Sequence, residues 1–354
     1  MICQKNRIVV VLGAGFPMPW GAPSSDDLKT MLTDYLKTTS LFFLTEYFLS
    51  FEDLVAALYF CVVSQTDNFH QVLFKIKAPK EIDFREAASI YRECINKVMK
   101  RILAYEENCC NSPNEERNQN LRLLFKELRL RYRHVSVYTT NYDIILPLIL
   151  GWSDETMSLR GEVFVYNPLT QHSLRQSYSN LHGSIHLEMN RFGGHQYEVS
   201  HNSCFFPQVH LLENYGGNPY ESNLFTPIIV GHNKTQQILS KHFSFATTCF
   251  ANDLSDCETL LAIGGSFSDP HINALIRQYT KPRHVYYRLV TLEDLVCGSS
   301  LENNVSSQII GYNTPYVPDT LDDSLFIREN GQLVYYKRGT DSFLADTLFW
   351  RDYL

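Results

Sequence analysis

Four short motifs hold the residue types from which a reactive site could be built. Asn141 and Asp143 stand two apart in Thr139-Thr140-Asn141-Tyr142-Asp143 and can present an amide and a carboxylate to a polar ligand, or cap the helix that follows. In Leu181-His182-Gly183-Ser184, the imidazole of His182 can take up a proton near neutral pH, although a lone loop histidine is more often structural. Gly13-Ala14-Gly15 lacks bulky side chains. Its backbone N–H groups and a following helix N-terminus can approach a pyrophosphate, and a tight turn would require the same residues. Gly264-Gly265-Ser266 opens a run ending Phe267-Ser268-Asp269-Pro270. Gly264 and Ser266 can hold a ribose or phosphate, or simply turn the chain from strand to helix.

Two other chemistries fit less well. A dinucleotide-dependent dehydrogenase would carry a third glycine where Met18 stands, then a second strand ending in an acidic residue about twenty positions on. That stretch reads as helix, so hydride transfer loses ground. The spacing of His182 and His186 suggests a metal pair, but Ile185 and Leu187 look strand-like and the glutamate of a His-Glu-x-x-His helix is missing. Cys204 with His195, His201 and His210 lacks the regular spacing of ligand pairs. No metal is expected.

The elements that must position these motifs alternate as in a parallel sheet. Ile8 to Leu12 is a continuous β-branched and apolar run, as in a strand covered on both faces, and it ends at the first glycine loop. Ser24-Ser25-Asp26-Asp27 caps a helix whose apolar positions are Leu28, Met31, Leu32, Tyr35 and Leu36. Helical periodicity continues through Ala87 to Leu103 and Leu121 to Leu128, so residues 25–130 read as a helical insertion. Strand signals resume at Val135–Tyr138, Val163–Tyr166, Ile228–Val230, Leu260–Ile263 and Val285–Val290. The fold class is α/β with a parallel sheet. The sheet-bearing domain comprises residues 1–24 and 131–300, and residues 301–354 form an extension. Within that extension Leu325-Phe326-Ile327 and Leu333-Val334-Tyr335-Tyr336 flank an Asn330-Gly331 turn, which predicts a hairpin.

The whole chain agrees with this picture. Of 354 residues, 44% are hydrophobic and 13% aromatic, enough apolar surface to form a globular core. A formal charge of −7 and the absence of a long Lys/Arg run argue against nucleic acid as a partner. The most apolar stretch, Leu41 to Val63, is broken by Glu46, Glu52 and Asp53 and predicts a buried helix pair, not a membrane span. No export signal is evident, and nine cysteines without any Cys-x-x-Cys fit a reducing cytoplasm.

Taken in chain order, a strand ending in Gly13-Ala14-Gly15, a loop through Gly21-Ala22-Pro23, Thr139-Thr140-Asn141-Tyr142-Asp143, Leu181-His182-Gly183-Ser184 and Ile263-Gly264-Gly265-Ser266-Phe267-Ser268-Asp269-Pro270-His271-Ile272 resemble the sirtuin superfamily. The nearest branch is that of the bacterial sirtuin-like NAD-degrading effectors of antiphage defence, and the resemblance spans about residues 8–290. It implies a Rossmann-like NAD-binding domain with helices on both faces. Gly13, Ala14 and Gly15 match the pyrophosphate loop, Asn141 the asparagine beside the nicotinamide ribose, and Asp143 the aspartate that meets the nicotinamide amide. His182 matches the base toward the ribose hydroxyls, and Gly264 and Ser266 the turn on the adenosine side.

Two departures qualify what the resemblance implies. Sirtuin deacylases carry a zinc module of two Cys-x-x-Cys pairs, which this chain lacks, so water becomes the expected acceptor in place of an acyl-lysine. Pro17 replaces a serine usual in the glycine loop. The expectation is hydrolysis of NAD+ to nicotinamide and ADP-ribose, with no metal. Alternatives are a non-catalytic sensor of NAD or an ADP-ribose derivative, and a protein deacylase or ADP-ribosyltransferase. Unchecked NAD loss is toxic, so gating by homo-oligomerisation, a separate regulatory protein or a small-molecule signal is also expected.

Overall fold

A computed structural model describes residues 5–48, 50–63, 84–111, 115–150, 176–189, 197–199, 228–229, 241–265, 267–280, 284–291, 320–321, 325–328 and 332–354. The strands are β1 (Lys5–Leu12), β2 (Tyr132–Thr139), β3 (Gln176–Asn180), β4 (Leu187–Met189), β5 (Tyr197–Val199), β6 (Thr259–Ile263), β7 (Tyr286–Val290), β8 (Thr320–Leu321), β9 (Leu325–Arg328) and β10 (Leu333–Tyr336). The main sheet has the order β3-β2-β1-β6-β7-β10-β9-β8, and β4 pairs with β5 separately. From β3 to β10 every pairing is parallel; β9 and β8 add an antiparallel edge. The six parallel strands therefore follow the doubly wound order 3-2-1-4-5-6 of a Rossmann-like fold.

The continuous apolar run of β1 is explained by its two covered faces. Ile8, Val10 and Leu12 enter one hydrophobic cluster, whereas Val9 and Val11 enter another. Period-2 alternation sends successive side chains to opposite faces, and here both faces are dry.

Between β1 and β2 lie α1 (Ser25–Leu36), α2 (Leu44–Tyr47), α3 (Phe51–Val63), α4 (Phe84–Asn111) and α5 (Glu115–Arg131). Ser24 and Asp27 form a reciprocal capping box at the start of α1, and Leu28, Leu32 and Leu36 face the core. The Leu41 to Val63 stretch is the buried pair α2 and α3, with Leu54, Val55 and Leu58 fully covered. No described helix is long and apolar enough to cross a membrane.

Beyond β2 come α6 (Ile145–Leu150), α7 (Lys241–Ser255) and α8 (Pro270–Thr280), then α9 (Gly339–Ala345) and α10 (Thr347–Tyr353). Helix α8 starts at Pro270 and buries Ile272 and Ile276 against the second cluster, as its periodicity predicts. The first cluster holds core side chains of α1 to α5 together with those of α9 and α10, so the sheet is covered on both sides.

Three sequence expectations need comment. Of the strand expected at Ile228–Val230, Ile228 forms an antiparallel bridge to Gly183, and Val230 lies outside the described residues. The Val163–Tyr166 signal and the Asn330-Gly331 turn lie outside the described residues, although β9 and β10 pair antiparallel as the hairpin requires. The strand beside β2 is instead β3, whose sequence Gln-Ser-Tyr-Ser-Asn carries almost no apolar signal. Among the described residues β2 is its one partner, and Ser177, Tyr178 and Ser179 are buried there, so backbone pairing and not an apolar pattern defines this strand.

Candidate functional site

The carboxyl ends of β1, β2, β3 and β6 all open into one cavity of about 380 Å³, within the range of small-molecule sites. Its lining includes Gly13, Ala14, Gly15, Asn141, Asp143 and His182, together with Gly265, Phe267 and Asp269. In open α/β sheets this crevice, where strand order reverses beside the first strand, is where ligands bind.

The two glycine loops at its floor are packed backbone against backbone. Gly13 N–H donates to Ile263 O at 2.9 Å and Gly15 N–H to Gly264 O at 2.8 Å. A Cβ on Gly13 would lie 2.5 Å from Gly265 Cα, and one on Gly264 would lie 2.1 Å from Phe16 N. Gly264 also holds φ at +68°, which disfavours any side chain. These glycines thus serve the close approach of β1 and β6 first. With the N–H groups of Gly13 and Gly15 engaged, the exposed Ala14 at the crest is the part of the loop left open to the cavity. Gly264 supports this floor from beneath, and Ser266 lies outside the described residues.

Asn141 is drawn to the same floor. Its Nδ2 donates to Gly13 O at 3.0 Å, its backbone N–H donates to Thr139 Oγ1 at 3.0 Å, and its carbonyl accepts from Asn180 Nδ2 at 3.0 Å. The bonds to Gly13 and Asn180 tie the end of β2 to the ends of β1 and β3, and the bond to Thr139 closes the turn on itself. Among the described residues, its Oδ1 carries no hydrogen bond.

Asp143 is deeper. Its Oδ1 accepts the N–H of Ile145 at 3.1 Å, the capping role expected of an aspartate ahead of α6. Burial and the negative charge of Glu106 push its carboxyl group up to about 7. Glu106 comes from α4: its Oε1 accepts Ile144 N–H at 2.8 Å, and its Oε2 meets His186 Nε2 at 2.8 Å. Helix α4 also places the buried Tyr105 on the cavity wall beside Asp143.

His182 sits in the turn after β3. Ile229 N–H donates to its carbonyl at 2.8 Å, Gly183 adopts φ +80°, and Ser184 Oγ donates to Tyr142 O at 3.0 Å. The short apolar segment at Ile228 thereby clamps the turn in place. The imidazole is 2% exposed, and its Nε2 lies 3.0 Å from Nε2 of His271, the second residue of α8.

The structure thus brings Asn141, Asp143 and His182 to one cavity with the Gly13–Gly15 loop. Sequence reasoning missed Glu106, Tyr105 and His271. The first two sit on α4 facing positions with ordinary core periodicity and no local mark. His271 was visible only as part of Ser-Asp-Pro-His-Ile, where capping was the role assigned to its neighbours. Among the described cysteines, Cys61, Cys94, Cys109, Cys249 and Cys257 are buried free thiols, and none lines the cavity. Burial pushes Cys61, Cys94 and Cys249 up to about 12, which removes the thiolate needed for nucleophilic attack. A scan against models of known protein families and a search of curated proteins find no match to this chain.

Proposed function

We propose that the chain cleaves the nicotinamide–ribose bond of NAD+ and transfers the ribosyl carbon to water. The observation that carries this reading is the convergence of Asn141 and His182, from motifs about forty residues apart, on one cavity floored by Gly13-Ala14-Gly15. The crevice position, the glycine floor and the resemblance of the motifs to sirtuins support a dinucleotide as the occupant.

Nicotinamide in NAD+ is a cationic leaving group, so its departure leaves an oxocarbenium-like ribose. Such a step needs orientation and a polarised oxygen nucleophile more than a strong one. The amide of Asn141, fixed by Gly13, orients the ribose and the water. His182 takes the proton of the attacking water as the oxygen bonds to C1′, giving ADP-ribose, nicotinamide and a proton. Asp143, held partly protonated by its surroundings, can offer a hydrogen bond to the carboxamide of the leaving group.

The resemblance to defence effectors adds the expectation of a gate: self-assembly, a separate partner protein or a small-molecule signal. The test is incubation of the purified chain with NAD+ over a range of protein concentrations, with nicotinamide and ADP-ribose quantified. Asn141→Ala and His182→Ala are each expected to lower the turnover rate by about 10²–10⁴, the usual loss on removing a positioned acid–base or orienting group. Wild-type turnover in both variants would refute the assignment.

A further inference from the structure

Where His182 faces α8, three side chains gather that the reaction above does not use together. His182, Asp269 and His271 each offer a ligand atom, and these atoms lie within 4.8 Å of one another. Two of them, the Nε2 atoms of His182 and His271, are 3.0 Å apart. Two zinc–imidazole bonds of 2.0–2.1 Å at the tetrahedral angle put their nitrogens about 3.3 Å apart, so the pair is within a few tenths of an ångström of ligating geometry. Two imidazoles and one carboxylate form the donor set of a zinc site with an open fourth position. His182 and Asp269 also line the cavity, which places that open position toward a ligand.

The rings come from rigid supports. His182 is clamped by Ile229 and Gly183, while Asp269 and His271 flank Pro270 at the start of α8. Their spacing owes nothing to a local motif, because the ligands reach the site from the ends of two different strands. The geometry points to a divalent transition-metal site, built by His182, Asp269 and His271 at the edge of the cavity, that binds zinc.

Metal and base cannot share one lone pair. A cation on His182 Nε2 withdraws that nitrogen from proton transfer, so binding here inhibits NAD+ cleavage. The inhibitory consequence rests on the function proposed above, whereas the binding itself does not.

The experiment measures zinc binding to the chelator-treated full chain by calorimetry, without NAD+, using Mg2+ as a hard-cation control. One zinc per chain is expected, with no Mg2+ binding. His271→Ala should weaken the zinc affinity at least about 100-fold and Asp269→Asn about 10-fold, with folding of both verified by circular dichroism. Cobalt(II) added to the wild type should give tetrahedral d–d bands that His271→Ala abolishes. Zinc binding that is absent in the wild type, or undiminished in folded His271→Ala and Asp269→Asn, overturns the site; the pair is then an N–H···N hydrogen bond only. In the wild type, zinc should slow NAD+ turnover and a chelator restore it. Stoichiometric binding with unchanged turnover overturns the inhibitory role. Zinc binding in a chain that shows no NAD+ turnover leaves the metal site standing, because the binding does not depend on the function proposed above.

Discussion

Asp143 shows how much a residue's role depends on what is packed beside it. In sequence it is a polar ligand group or a cap; in the fold it caps α6 and also carries a raised proton affinity because Glu106 lies close by in a dry environment. Its ordinary value is 3.8 and its folded value about 7, so the folded state binds the proton more tightly than the unfolded one. The contribution of this group to stability is therefore greatest at low pH and is lost as pH rises from about 4 toward 7. Urea unfolding midpoints of wild type and Asp143→Asn, compared across that window, should diverge, with the wild type falling more steeply. Parallel profiles would show that Asp143 stays ionised throughout. Its partner Glu106 could not be assigned in advance, since nothing in a 28-residue helix marks which buried position meets a strand end.

At the level of elements, the loops after β1 and β6 act as one unit. Their glycines are needed where two backbones cross, which a glycine-rich motif in the sequence cannot distinguish from a phosphate cradle. Gly264 and Gly21 make a controlled comparison, because both have positive φ but only Gly264 lacks room. A Cβ at Gly21 meets nothing within 4 Å, while one at Gly264 meets Phe16 N at 2.1 Å. Gly21→Ala should cost only the left-handed backbone strain, about 1 kcal/mol. Gly264→Ala adds a backbone clash and should cost at least about 3 kcal/mol, the range of severe core disruption. Chemical denaturation of the two variants measures the difference, and equal costs would show that the loops can part without penalty.

For the whole molecule, the C-terminal segment joins the main sheet instead of standing apart from it. Strand β10 pairs with β7, and Phe343, Phe349 and Tyr336 stack edge-to-face beneath it. Trp350 is buried, and its Nε1–H donates to Phe343 O at 2.9 Å. Further on, Leu354 O accepts from both Tyr132 and Lys5, tying this segment to the starts of β2 and β1. Thr340 also reaches the glycine loop, donating to Gly15 O at 3.3 Å. Trp350→Ala should cost about 3–5 kcal/mol, as for other large aromatic deletions from a core. Thermal unfolding should show one cooperative transition lowered by that loss. An unchanged midpoint would mean that the segment is an appendage.

The sequence by itself determined the α/β class, the central strand Ile8 to Leu12, the capping of α1, the start of α8 at Pro270, and three of the four motifs at strand ends. Each is local: hydrophobic period, cap chemistry and glycine placement are set by neighbours a few residues away. Only the tertiary structure decided the strand order that puts β1 between β2 and β6, the polar edge strand β3, the entry of β10 into the sheet, and the meeting of His182 with His271 and of Asp143 with Glu106. Those depend on contacts between residues tens to hundreds of positions apart, where pairing is chosen by the burial of entire faces and leaves no short-range pattern to read.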